Sequence, residues 1–193
     1  MVRVETERLV LEMPGPEHVP ELVAYERRNR EHLDRWGPPA PADVQGEQFW
    51  ERRVAEIRRD FEAGRAVRFS VFRREAPGGR VIGGVSLTNI VLGPLRACNL
   101  GYHLDAQEQG NGLMSEAVRA VVRHAFDELK LHRVQANYVP SNERSARLLK
   151  RLGFCVEGYA RDDLFVGGEW RDHVLTSVVN HELGDARELC TPR

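Results

Sequence analysis

The stretch from residue 100 to residue 129 constrains this chain more than any other. It opens with a short apolar run (Leu100, Gly101, Tyr102, His103, Leu104), passes through a glycine turn (residues 107–112) and continues as a strongly periodic segment. There apolar pairs recur every four residues, at Leu113/Met114, Ala117/Val118, Val121/Val122 and Ala125/Phe126, which predicts an amphipathic helix over 113–129. A strand that feeds a helix through a glycine turn makes an anion trap. The first amides of the helix lack intrahelical acceptors, the helix dipole adds partial positive charge, and glycines let a phosphate approach the backbone. A plain tight turn before a core helix accounts for the same residues at least as simply, so the turn alone does not decide.

Composition narrows what such a trap serves. The 193 residues suffice for one domain with a real core, assigned to 1–183, followed by a tail at 184–193 that reads as frayed. A formal net charge of −1 gives no bulk attraction to nucleic acid or to an anionic membrane. Arg52, Arg53, Arg58 and Arg59 are interleaved with acids, as on a solvated helix face. Cys98, Cys155 and Cys190 show no metal-ligand spacing and suit a reducing cytoplasm; Cys155 reads as a buried, inert thiol. Residues 1–15 carry Arg3, Glu5, Glu7 and Arg8 instead of the apolar stretch of a signal peptide, and no run approaches membrane-spanning length.

In chain order, residues 8–13 read as an opening strand and 16–36 as one or two helices carrying Val19, Leu22, Val23 and Leu33. A proline-rich loop (Pro38, Pro39, Pro41) precedes a helix at 45–63, whose Phe49, Trp50, Val54, Ile57 and Phe61 share a face. Strands follow at 67–71, at 80–91 with a bulge expected at Gly83–Gly84, and at 96–104. After the central helix come a strand at 133–139, a helix capped by Ser141 or Asn142 and ending at Gly153, and a hairpin of strands 155–166 and 169–179 turning at Gly167–Gly168. Strand–helix–strand across 100–139 implies a right-handed crossover between parallel neighbours, whereas the other strands are hairpin-linked. The fold class is therefore α/β with a mixed sheet and helices on both faces.

Two motifs in this order carry a resemblance. Gln107-x-x-Gly110-x-Gly112 before a helix resembles the acyl-CoA motif of the Gcn-five-related N-acetyltransferases (GNAT), and residues 142–154, from Asn142 through Ser145 and Lys150 to Gly153 and Phe154, resemble that family's second signature. Residues 110–117, 137–142 and 170–173 most resemble its RimJ branch, which acetylates the N-terminal alanine of a small ribosomal subunit protein. The resemblance runs from Arg8 to Thr176. It implies a single-domain GNAT fold: a splayed, mostly antiparallel sheet of about seven strands, with acetyl-CoA in the V between the strands ending near Leu104 and beginning near Arg133. The pantetheine arm would pair with backbone at Tyr102, His103 and Leu104. The pyrophosphate would lie on amides of Gln109, Gly110, Asn111, Gly112, Leu113 and Met114. No metal is implied, and the chain would act as a monomer or homodimer in the cytoplasm on a protein N-terminus, without binding nucleic acid or membrane.

Acetyl transfer needs a neutral amine, a stabilised oxyanion and a hydrogen-bonded leaving thiolate. An α-amine, with pKa of about 7.7–8.0, is already neutral in roughly one molecule in seven at pH 7, against about one lysine in 2,500. An α-amine acceptor therefore asks for only a mild base. None stands out. Some relatives carry a glutamate on the penultimate strand, where this chain has Leu164; Glu116, Asp162 and Asp163 read more simply as helix-terminal or surface charge, with Asp162 and Asp163 expected on opposite strand faces. By resemblance, a backbone N–H near Leu104 serves the oxyanion, Ser145 faces the CoA sulfur and Asn142 orients the pantetheine. Each also has a structural reading, Ser145 as a helix-terminal serine and Asn142 as a cap. Arg147 and Lys150 could reach CoA phosphates or line a solvated helix face. Tyr102 and Tyr138 could donate phenolic protons, though strand packing is the simpler role. Transfer to a small amine and a non-catalytic acyl-CoA-binding module are the alternatives, as is a ribosome-assembly role apart from catalysis.

Overall fold

The computed structural model describes residues 2–183; the tail at 184–193, with Cys190, lies outside the described residues. Strands β1 (Arg3–Glu5), β2 (Leu9–Glu12), β3 (Val67–Arg73), β4 (Val81–Val91), β5 (Ala97–Leu104), β6 (Arg133–Tyr138), β7 (Cys155–Val166) and β8 (Glu169–Val179) form one sheet in the order β1-β2-β3-β4-β5-β6-β8-β7. Helices α1 (Val19–Asp34), α2 (Glu47–Glu62), α3 (Leu113–Asp127) and α4 (Glu143–Arg151) cover it. The expected seven strands become eight because β1, three residues long, is too short to show an alternating pattern in sequence.

Alternation along the strands divides the apolar residues between two faces. Val67, Phe69, Val85, Leu87, Leu100, Val134 and Ala136 pack under Leu113, Ala117, Val118 and Val121 of α3 and under Leu148 and Leu149 of α4. On the other face Phe72 and Val81 meet Val19, Leu22 and Tyr25 of α1 and Val54 of α2. That second core is small, and it leaves bare a polar stretch of sheet that includes Ser86, Thr88, Asn99 and Gln135. These residues lie opposite one another across β4, β5 and β6, so they share a face.

Every neighbouring pair is antiparallel except β5 and β6, which are parallel and pair only at Ala97↔Arg133, Cys98↔Val134 and Asn99↔Gln135. Beyond Asn99 the two strands part, and β5 runs on to Leu104 with β4 as its only strand neighbour among the described residues. The gap is the V expected from the resemblance.

Two details differ from expectation. The register shift in β4 falls between its pairings at Val81 and Gly83, so the extra residue is Ile82 and not a glycine. Gly83 and Gly84 are required by the close approach of β5: a Cβ would come within 2.5 Å of the His103 carbonyl oxygen at Gly83 and within 2.6 Å of His103 Nε2 at Gly84. Cys155 is exposed, not buried, because it opens the edge strand β7. Cys98 is the buried thiol, and burial pushes it up to about 12.

Candidate active site

A large cleft, about 1660 Å³, follows the gap between β5 and β6. It runs from the glycine turn and α4 at one end to the 35–46 loop and the tip of the β7–β8 hairpin at the other.

The first end is made of backbone. Gly110 (φ 86°) and Gly112 (φ 75°) take left-handed conformations, and Gly112 is the residue capping α3. A Cβ at Gly110 would meet nothing within 4 Å, so conformation and not space demands glycine there. Among the described residues no side chain caps α3. Among the described residues, the N–H groups of Gly110, Asn111, Gly112, Leu113, Met114 and Ser115 make no hydrogen bond within the chain. They form a row of free donors at a helix N-terminus, the arrangement an anion would need. Arg8 holds its outer wall, donating to the Asn111 carbonyl at 3.0 Å and to Glu116 Oε2 at 2.6 Å. Glu116 also accepts from Thr6 Oγ1 and from the Arg8 N–H. Burial would raise its carboxyl, but these donors outweigh burial and hold it below the usual range. Glu116 is thus a clamp for the N-terminal strands and not a free base.

Along the gap, β5 offers its own backbone. The Asp105 N–H donates to the Ile82 carbonyl at 2.8 Å, which by antiparallel alternation turns the N–H and C=O of Tyr102 and Leu104 away from β4 and into the gap. The Tyr102 side chain lies on the α3 face, where its hydroxyl meets Ser145 Oγ at 2.6 Å. Burial pushes this phenol up to about 12, with Ser145 opposing. Asn142 Oδ1 accepts the Ser145 N–H at 3.2 Å, so Asn142, not Ser141, caps α4. Arg147 lines the cleft but is exposed and paired with Glu143 at 2.9 Å. Arg151, which sequence did not single out, reaches back to Ser115 Oγ at 3.3 Å, beside the free amides.

The opposite face of the gap belongs to α1. Tyr25, Arg28, Asn29 and His32 recur at i, i+3, i+4 and i+7 and dock on β5 and the turn after it. The Tyr25 hydroxyl meets His103 Nδ1 at 2.7 Å, and His32 meets Gln109 at 2.7 Å. Asp105, buried, accepts from Arg28 (3.0 Å), Arg80 (2.8 Å), Asn29 (3.2 Å) and the Gln107 N–H (3.0 Å). Burial would raise the Asp105 carboxyl; those donors override burial and hold it at about 2. The His103 ring opens on the cleft but is walled by protein, and this desolvation, with His32 nearby, pulls it down to about 4. The resemblance assigns His103 a backbone role alone. The clue to its side chain was the α1 polar stripe, whose partners lie more than seventy residues away.

At the far end, Gly167 N–H reaches the Gly37 carbonyl at 3.3 Å, so the hairpin tip and the proline loop touch. Three β7 residues, 161–163, face one β8 residue in a bulge, which removes the simple alternation expected of Asp162 and Asp163. Asp162 takes φ 47° and its N–H donates to Asp172, while Asp163 turns toward His173 at 3.8 Å. Tyr138 packs against the main core, as strand packing requires.

A splayed sheet with free amides at one end of the gap and an unpaired strand edge along it defines an acyl-CoA-dependent transferase. Residues 8–155 match a family model described as an acetyltransferase (GNAT) domain. Over 177 residues the chain is 38% identical to the [ribosomal protein uS5]-alanine N-acetyltransferase of Escherichia coli (strain K12), covering 92% of this chain and 90% of that protein. Among solved structures it resembles the ribosomal-protein-S5-alanine acetyltransferase of Vibrio fischeri, with a TM-score of 0.89, 33% identity, and coverage of 96% of this chain and 100% of that one. It also resembles Mycobacterium smegmatis RimJ in complex with CoA-disulfide, with a TM-score of 0.84, 26% identity, and coverage of 92% and 84%. The chain belongs to the GNAT acetyltransferase family and is an acetyl-CoA-dependent N-acetyltransferase. Among the described residues no helix is long and apolar enough to cross a membrane, and no group of three or more His, Cys, Asp or Glu side chains could hold a metal ion.

Proposed function

We propose that the chain acetylates the N-terminal α-amine, on alanine, of a small ribosomal subunit protein in the cytoplasm. The observation that carries the choice of acceptor is the charge of the cleft. Among the described residues that line it only Glu26 and Glu143 are acidic, and each is paired with an arginine, Arg30 and Arg147 respectively. A polyamine or aminoglycoside would find no acidic wall, whereas a single peptide N-terminus needs none. The relatives that act on a ribosomal protein N-terminus support the same acceptor.

Bound acetyl-CoA supplies an activated thioester carbonyl and a thiolate leaving group. The free amides from Gly110 to Ser115 hold its pyrophosphate, with Gln109 at the margin of the turn, Arg151 beside it and Arg147 at the rim. The inward N–H and C=O of Tyr102 and Leu104 pair with the pantetheine arm, and the Leu104 N–H serves the oxyanion. Ser145 donates its hydroxyl proton toward the sulfur while Tyr102 donates to Ser145 Oγ, and that second bond aims the first. Asn142 fixes the helix end that carries Ser145. Short peptides test the acceptor, with release of free thiol as the readout. A peptide with the N-terminal residues of the ribosomal protein is expected to turn over, and the same peptide with its α-amine blocked and a lysine free is not. Turnover on neither, with acetyl-CoA still bound, would move the assignment to small amines.

A further inference from the structure

Alternation places the two sides of the chemistry on opposite faces of the sheet. Tyr102 and Ser145 lie on the α3 face. His103 lies on the α1 face, bonded to Tyr25. On the other bank of the gap, β8 pairs Ser177 with Gln135 and Leu175 with Asn137, so His173, two residues before Leu175, falls on the α1 face as well. His173 lines the cleft and is 4% exposed. Its Nδ1 sits 3.0 Å from the Arg171 carbonyl oxygen, which can only accept. That bond places the proton of the neutral ring on Nδ1 and leaves Nε2 a bare lone pair, and Nε2 makes no hydrogen bond among the described residues.

We propose that His173 is the catalytic base, its Nε2 taking the proton that the attacking amine sheds. As the N–C bond forms and the C–S bond breaks, one proton moves from the nitrogen to Nε2, and the imidazolium returns it through cleft water toward the sulfur, so no proton is gained or lost overall. The other candidates are occupied or mismatched. Glu116 is spent on Thr6 and Arg8. Glu26 is bound by Arg30 at 2.9 Å. His103 has Nδ1 engaged by Tyr25 and is too weak a base for an amine. Asp163 lies 3.8 Å from His173 and Asp172 interacts with it electrostatically, and Glu26, Arg30, His32, Arg35 and His103 open on the same cleft.

This inference rests on the N-acetyltransferase activity but not on the ribosomal acceptor. The test therefore uses whichever peptide or small amine the wild type acetylates: a wrong acceptor shows in wild-type rates, a wrong base only in variant-to-wild-type ratios. His173→Gln is expected to lower kcat/KM about 100-fold at pH 7, with the deficit shrinking toward pH 9 as hydroxide replaces the base, and with acetyl-CoA affinity unchanged. In His173→Ala, free imidazole is expected to restore activity at least about tenfold. Glu26→Gln should leave the pH profile in place. A loss equal at every pH without imidazole rescue, a loss below about threefold, or a pH-dependent deficit in Glu26→Gln instead would overturn the assignment.

Discussion

The two faces of the gap are built by different means. The α3 face presents backbone: free amides at a helix N-terminus, an unpaired strand edge, and one serine fixed by a cap and a phenol. The α1 face presents side chains drawn from α1, β5, β7 and β8, held by hydrogen bonds across long stretches of sequence. In the proposed mechanism, backbone donors recognise what every turnover has in common, the nucleotide and its arm. Side chains shape the half that must fit one acceptor.

The largest expected effect comes from cutting the tie that holds the α1 face to the turn after β5. Asp105→Ala leaves Arg28, Arg80 and Asn29 without their shared acceptor, a loss of about 3–5 kcal/mol measurable by thermal or urea unfolding. The wild-type carboxylate also predicts an acid limb. Its folded-state value is depressed to about 2, so the stability it contributes is complete above the unfolded value near 3.9 and disappears as pH falls through about 2. Urea midpoints between pH 5 and pH 2 should therefore drop by the equivalent of about 2 kcal/mol, and Asp105→Asn should flatten that drop.

Next in size is Ser145→Ala, expected to lower kcat by about 10- to 100-fold while the KM for acetyl-CoA moves less than about threefold. An equal rise in KM instead would make Ser145 a binding residue. Gly112→Ala forces a side chain into a left-handed conformation costing about 1–2 kcal/mol, which should weaken acetyl-CoA about 5- to 30-fold in titration calorimetry and spare the acceptor KM. Tyr102→Phe removes one hydrogen bond and keeps the ring, so kcat should fall only about 3- to 10-fold. Arg147→Ala should be smallest, within about threefold, because its exposed guanidinium already pairs with Glu143.

The α3 face was legible because its signals are local. Gly110 and Gly112 are needed by their own φ angles, and Ser145 follows its cap Asn142 by three residues. The α1 face was not. Tyr25 and His103 are 78 positions apart, and nothing near either announces the other. Asp105 could have been suspected from its bond to the backbone two residues on, the mark of an Asx turn, but not its arginine partners. The bulge at 161–163 hid the facing of Asp163 by breaking the period-two pattern of β7 on which face assignments rest.

The two-faced account is tested most directly by a crystal structure with a bisubstrate conjugate, CoA joined through an acetyl bridge to the α-nitrogen of the ribosomal peptide. The account predicts pyrophosphate oxygens on the amides of residues 110–115, the sulfur beside Ser145 on the α3 face, and the peptide nitrogen on the α1 face within reach of His173 Nε2. A peptide lying on the α3 face, or a pyrophosphate held by side chains away from the glycine turn, would contradict it.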